Sequence, residues 1–165
     1  PAEDARVKSV DQLVNLYVRS VGRNSKLLLN VPPTPEGLIH PVDAERLVGM
    51  HERLRTLFAT DLAEGRSLRW TESLDSWVTE VELFRPSTLG FVRLSEDITK
   101  GQAVVAYVLS GFDGTTWSEL SRGTTIGYAK IDRMDGARVI QRLRVDVRPA
   151  GPLSVPVQIK AFPAV

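Results

Sequence analysis

The sequence predicts an α+β chain in which a helix–strand–helix unit precedes an antiparallel β-sandwich. Apolar residues recur with a period near 3.6 up to about Ala63, and they alternate with a period of 2 beyond Gly65. Between the two helical patterns lies Lys26–Val31, an apolar run without alternation. Such a run is typical of a strand covered on both faces, as in a parallel sheet or a barrel.

The first helix is predicted over residues 10–21. Its apolar positions recur on one face: Val10, Leu13, Val14, Tyr17, Val18 and Val21. Ser9 followed three residues later by Gln12 has the form of a capping box, which marks the start of the helix. Gly22 stands where a left-handed C-terminal cap is expected, which marks its end.

A strand over Lys26–Val31 follows, and Pro32 and Pro33 end it. After the loop, Pro41 suits the first position of a second helix, which we expect to run to about Ala63. The predicted inner face of this helix consists of Ala44, Leu47, His51, Leu54 and Phe58.

The change of period near Gly65 predicts a domain boundary, with a unit of residues 1–64 and a sandwich of residues 65–165. Strands are predicted around residues 77–83, 102–110, 117–120, 137–147 and 155–161, with Pro156 confining the last to an edge or a bulge. Asp113-Gly114 and Asp135-Gly136 are predicted turns. In the fourth strand, the inward positions are Ala137, Val139, Gln141, Leu143, Val145 and Val147.

Composition excludes several classes of function. With 21 Lys+Arg against 20 Asp+Glu the net charge is +1, and no basic block indicates a nucleic-acid partner. The absence of Cys excludes thiolate metal sites and a cysteine nucleophile. No long apolar run indicates a membrane span, and no glycine-rich phosphate-binding motif occurs.

Only a few residue types could carry chemistry. His51 is interpreted as a core histidine and His40 as a residue at the helix start, because they lack a metal-ligand spacing. An arginine strip on the sandwich could bind a sugar or an anion, or be a solvated face: Arg138, Arg142, Arg144 and Arg148. Trp70, Trp77 and Trp117 could stack on carbohydrate or belong to the core.

Three stretches are similar to a known family. They are Asn24-Ser25-Lys26-Leu27-Leu28-Leu29-Asn30-Val31-Pro32-Pro33 with Gly37-Leu38-Ile39, Val92-Arg93-Leu94-Ser95-Glu96-Asp97-Ile98 with Gly101-Gln102, and Arg122-Gly123-Thr124-Thr125-Ile126-Gly127-Tyr128. The first resembles the end of the catalytic domain in family 29 α-L-fucosidases. The other two resemble the β-sandwich that follows the barrel in that family.

This resemblance implies that residues 1–64 form the end of a (β/α)8-like barrel and that residues 65–165 form a discoidin-like or jelly-roll-like sandwich. It also implies a retaining α-L-fucosidase whose nucleophile and acid/base both lie upstream, so no catalytic residue, metal or cofactor is expected in this chain. The start at Pro1-Ala2-Glu3-Asp4 favours the same expectation of an upstream polypeptide as partner. The resemblance favours a secreted or periplasmic protein.

Within the chain, the loop after the predicted strand is the part directed toward the active face of such a barrel. Asn30 is predicted to line the pocket floor, or else to cap the strand through an Asx-type hydrogen bond. Glu36, the carboxylate of this loop, is interpreted as a solvated turn residue rather than as a general acid. The alternative function is a non-catalytic carbohydrate-binding or scaffold module.

Overall fold

The computed structural model describes residues 7–151 and 157–165, which form two helices and seven strands. The elements are α1 (Val10–Ser20), α2 (Pro41–Leu57), β1 (Thr71–Ser73), β2 (Ser76–Ser95), β3 (Val104–Phe112), β4 (Trp117–Gly123), β5 (Lys130–Arg133), β6 (Val139–Pro149) and β7 (Gln158–Pro163). The two helices therefore precede a set of antiparallel strands, as predicted. The interpretation of Pro156, and of Val155 as a strand residue, falls outside the described residues.

Strand β2 belongs to both sheets of the sandwich. Its first half pairs with β1 and β6, and β3 continues that sheet to β4. Its second half lies between β5 and β7. Pairing with β6 is interrupted between Glu82 and Ser87, where Pro86 cannot donate a ladder hydrogen bond. Beyond this interruption Ser87 and Thr88 still pair with β6, and from Leu89 onward β2 pairs within the second sheet.

The molecule has three layers with two apolar cores. The core between the sheets contains side chains that are fully or almost fully buried, such as Val81, Leu94 and Leu143. A second core joins the helices to the other face of the second sheet. There Phe58 lies with its ring 5.5 Å from that of Phe91 and 5.0 Å from that of Phe162. The helical unit is therefore packed on the sandwich.

The start of α1 follows the predicted chemistry, whereas its end does not. The Ser9 N–H donates to Oε1 of Gln12 at 2.9 Å, and the Gln12 N–H donates to Oγ of Ser9 at 3.3 Å, which confirms the capping box. The left-handed cap at Gly22 is wrong, because the residue with positive φ is Asn24, at 65°. A side chain at Gly22 would collide with Ile131, since an added Cβ would lie 2.8 Å from the Ile131 Cβ. Close packing explains this glycine.

The predicted strand over Lys26–Val31 is absent, because these residues have neither helical nor strand structure. A strand requires a hydrogen-bonded neighbour, and none runs beside this segment within the described residues. We call residues 26–31 the connecting segment.

Helix α2 begins at Pro41 as predicted but ends at Leu57 rather than near Ala63. The chain leaves the helix because residues 61–63 attach to β7: the Leu62 N–H donates to the Ala161 carbonyl at 2.7 Å. Met50 and Leu57 are its buried side chains, whereas His51 is exposed. The interpretation of His51 as a core residue is therefore wrong, because the helix turns Gly49 and Met50 toward the rest of the molecule instead.

The sandwich confirms most of the predicted alternation. The hairpin at Asp113-Gly114 is present, with the Asp113 carboxylate accepting the Thr115 and Thr116 N–H groups at 2.8 Å. In β6 the inward phase holds for Leu143, Val145 and Val147 but fails earlier: Val139 is 51% exposed and Ile140 is 1% exposed. The interrupted pairing with β2 lies between these two stretches and shifts the alternation by one residue.

Candidate functional site

The connecting segment has two unlike faces. Leu27 and Leu29 pack against the helical core, whereas Leu28 between them is 93% exposed. Asn30 is also exposed. Alternate residues therefore point to opposite sides, as they do in a strand, although no strand in the described part of the chain pairs with the segment. Leu28 and Asn30 share the open face.

The loop after this segment is closed by a short set of hydrogen bonds. The Thr34 N–H donates to the Leu38 carbonyl at 2.7 Å, and the Gly37 N–H donates to the Thr34 carbonyl at 2.9 Å. Gly37 has a φ of 78°, which explains a glycine at this position. Asn30 makes no hydrogen bond to any described residue, so the Asx-type cap has no support; Thr34 Oγ1 instead accepts the Leu38 N–H at 3.3 Å.

The environment of Glu36 does not suit a general acid. Its carboxylate is fully exposed, and a side-chain hydrogen bond from Thr34 lowers its pKa, assisted by the Glu36 backbone N–H. A general acid at neutral pH needs the opposite shift, because it must hold its proton until the transition state. The interpretation as a solvated turn residue agrees with this geometry.

A groove of about 420 Å³ runs beside the connecting segment, between α1 and α2. Leu28, Asn30 and Arg46 are among its lining residues. The Nε atom of Arg46 is buried and has no hydrogen-bond partner among the described residues. Within residues 7–151 and 157–165, no cluster of His, Asp or Glu could hold a metal ion. In that part of the chain, neither helix is long and apolar enough to span a membrane.

His40 has a structural role at the start of α2. His40 is the N-cap of α2, where its Nδ1 accepts the Val42 N–H at 3.3 Å. The prediction that His40 lies at the helix start is therefore confirmed.

The aromatic and arginine residues of the sandwich largely contact one another. The guanidinium of Arg144 lies 4.1 Å from the ring centre of Trp117, and Phe112 lies 5.2 Å from that ring. Both Arg144 and Arg142 also pair with Glu80, at 2.6 Å and 3.2 Å. Trp117 is thus partly covered by its own neighbours, and two of the four arginines already have an anionic partner.

Trp70 and Trp77 pack against the core between the sheets. The Trp70 Nε1 atom is buried and lacks a partner within the described residues. These two tryptophans therefore correspond to the core interpretation rather than to an open stacking platform.

Sequence reasoning missed two buried carboxylates. Glu96 accepts the N–H groups of Ala103 and Val104 at 2.9 and 3.0 Å with one oxygen, and the Gly127 N–H at 2.7 Å with the other. Glu96 lies in one of the stretches that resemble the family, and Gly127 lies in another. The resemblance of these two stretches was the signal by which the pair could have been found.

The second buried carboxylate is Asp132. It accepts hydrogen bonds from the hydroxyls of Tyr107 at 2.5 Å and Ser121 at 2.8 Å, and it forms a salt bridge with Arg23 at 3.1 Å. Burial, together with the hydrogen bond to Asp132, raises the pKa of Tyr107. Asp132 therefore links both sheets to the end of α1.

Comparison with known proteins shows similarity to α-L-fucosidases in both the helical and the sandwich regions. A family model described as α-L-fucosidase matches residues 2–56. The chain is 27% identical over 155 residues to α-L-fucosidase 1 of Arabidopsis thaliana, covering 76% of this chain and 31% of that protein. It thus spans less than a third of the length of this relative.

Solved structures extend the match to nearly the whole chain. A Bacteroides ovatus protein provisionally described as an α-L-fucosidase is 36% identical with a TM-score of 0.80, and the match covers 98% of this chain and 27% of that one. A glycoside hydrolase 29 family member from an unknown rumen bacterium is 30% identical with a TM-score of 0.83, covering 98% and 30%. The chain therefore belongs to the α-L-fucosidases of glycoside hydrolase family 29, as a C-terminal portion of such an enzyme.

Proposed function

We propose that this chain completes the catalytic barrel of a retaining α-L-fucosidase that hydrolyses terminal α-L-fucosyl linkages of glycans. Residues 1–64 contribute the last strand of a (β/α)8-like barrel with its flanking helices. Residues 65–165 form the sandwich that buttresses it. The two carboxylates of a retaining mechanism, about 5 Å apart, lie on an upstream segment, which is the partner of this chain.

The observation that carries this proposal is the alternation in the connecting segment. Each strand of such a barrel has helices on its outer side and the packed barrel interior on its inner side. Leu27 and Leu29 already pack against the core between the helices and the second sheet, whereas Leu28 on the opposite face of the segment is 93% exposed. An exposed leucine on a segment whose other face is packed is accounted for if upstream strands cover it.

Exposed apolar side chains in the part of the chain that follows support the same partner. Leu38, Ile39 and Val48 are 67%, 54% and 57% exposed, and they follow the connecting segment through the loop into α2. Several exposed apolar side chains in one part of a chain favour a surface that another polypeptide covers.

Asn30 is the residue of this chain that we assign to the substrate pocket. It shares the open face with Leu28 and lies two residues closer to the C-terminal end of the segment. Active sites of (β/α)8 barrels lie at the C-terminal ends of the strands. The amide of Asn30 has no partner among the described residues, so it is available to a sugar hydroxyl.

An assay of fucoside hydrolysis tests the proposal. We expect an aryl α-L-fucoside to be stable with this chain alone and to be hydrolysed when the chain is joined to the upstream region. In the joined protein, Asn30→Ala should lower kcat/KM about tenfold, as expected for a lost hydrogen bond worth roughly 1.5 kcal/mol. Glu36→Gln is the matched control and should leave kcat/KM unchanged.

Two results would contradict the proposal. Hydrolysis by the isolated chain, abolished by Glu36→Gln, would establish an independent enzyme. Binding of fucose or fucosyl-oligosaccharides by the isolated chain in a calorimetric titration, with an inactive joined protein, would establish a carbohydrate-binding module instead.

A further inference from the structure

The junction between α1 and the connecting segment is the most densely bonded contact between the helical unit and the sandwich. Residues 22–24 lie along the edge of β5, with Arg23 in a β-bridge to Lys130. The Ile131 N–H donates to the Gly22 carbonyl at 3.0 Å, and the Asn24 N–H donates to the Ala129 carbonyl at 3.2 Å. We call residues 22–24 the junction segment.

The side-chain amide of Asn24 forms two hydrogen bonds with the sandwich, one as donor and one as acceptor. Its Nδ2 donates to the Ile126 carbonyl at 2.8 Å, and its Oδ1 accepts the Ala129 N–H at 2.9 Å. Gly127 lies directly beneath, since an added Cβ there would be 2.4 Å from the Asn24 Oδ1. The buried Glu96 accepts the Gly127 N–H at 2.7 Å, so the loop that receives Asn24 is itself fixed.

Arg23 connects the same point to the interior of the sandwich. Its Nη1 donates to the Ile131 carbonyl at 2.8 Å and to the Asp132 carboxylate at 3.1 Å. Asp132 is held in turn by Tyr107 and Ser121 from the other sheet. A shift of the junction segment would therefore disturb hydrogen bonds that involve both sheets.

We infer that Asn24 is a positioning residue: through it the sandwich sets the placement of the connecting segment and, six residues on, of Asn30. This inference rests on the proposed function, since the position of Asn30 matters only if Asn30 lines a substrate pocket. Asn24 lies at φ 65°, where asparagine and glycine are tolerated better than other residues. Its conformation and its two amide bonds together fix the direction in which the chain leaves the sandwich.

The first experiment tests the attachment on this chain alone, without any activity. Asn24→Gly keeps the backbone conformation and removes both amide bonds, so it separates attachment from backbone strain. We expect hydrogen exchange at the Ala129 N–H and the Ile131 N–H to accelerate at least about tenfold, because both amide bonds that hold residue 24 to this part of the sandwich are lost. Exchange in the β3–β6 ladder should be unchanged. Leu74→Gly is the control, because Leu74 is the other non-glycine residue with positive φ among the described residues, and it should alter neither region.

The second experiment measures fucoside hydrolysis by the chain joined to its upstream region. Asn24→Gly should lower kcat about tenfold with the folded fraction unchanged at the assay temperature, since displacement of a pocket residue by about 1 Å costs up to 10²-fold. Asn24→Asp keeps the acceptor and should recover part of the loss.

The outcomes separate the two proposals. An inactive joined wild-type protein with accelerated exchange in Asn24→Gly removes the proposed function and leaves the attachment intact. Unchanged hydrogen exchange in Asn24→Gly overturns the positioning role of Asn24. Accelerated exchange in this variant, together with an unchanged kcat in an active joined protein, overturns it as well.

Discussion

Leucine side chains are buried in the sandwich but can be exposed in the connecting segment. In the sandwich, Leu94, Leu109 and Leu143 are 0% exposed, because two sheets of the same chain face each other. In the connecting segment, Leu28 is 93% exposed although its neighbours in sequence are also leucines. A leucine side chain is therefore buried only where another part of the chain packs against it. Within the described residues, the chain covers the core of the sandwich from both sides and leaves one face of the connecting segment open.

The largest effect expected from this difference is in stability. Leu143→Ala removes a buried side chain from the core and should lower the free energy of unfolding by about 2–5 kcal/mol. Leu28→Ala removes an exposed side chain and should change it by less than about 0.5 kcal/mol. Denaturant unfolding of this chain measures both. Comparable losses for the two variants would mean that Leu28 is buried in solution, which would contradict the difference in burial between the two regions.

Two glutamates sharpen the comparison with polar groups. Glu96→Ala leaves the N–H groups of Ala103, Val104 and Gly127 without their acceptor, and we expect a loss of about 2–3 kcal/mol in the free energy of unfolding. Glu36→Ala removes a solvated carboxylate and should leave the denaturation midpoint unchanged. A loss for Glu36→Ala as large as that for Glu96→Ala would contradict the assignment of Glu36 to solvent.

Features set by local chemistry were predictable from the sequence. The capping box of Ser9 and Gln12 involves residues three apart, and the Asp113 turn closes over three residues. The alternation in β2 was also predictable, since Thr79, Val81 and Leu83 are buried in turn. In each case the determinants lie within a few residues of one another.

Features that depend on distant partners were not predictable. Asn24 contacts residues 102 and 105 positions away, and Arg23 meets Asp132 across 109 positions. The strand predicted over Lys26–Val31 failed for the same reason, because its apolar residues carry no information about whether a neighbouring strand is present. Asn30 was assigned to the pocket from the family resemblance and stays a prediction, whereas the open face of the connecting segment is visible only in the alternating burial of residues 27–30.

In the proposed function, an upstream barrel covers the open face of the connecting segment. The chain has no Cys, so Leu28→Cys and Leu74→Cys each introduce a single probe at a site that is 93% or 102% exposed. Both should react rapidly with a thiol reagent in the isolated chain. In the protein joined to its upstream region, the cysteine at position 28 should be strongly protected and the one at position 74 should react as before. Equal reactivity of the cysteine at position 28 in the two proteins would contradict the claim.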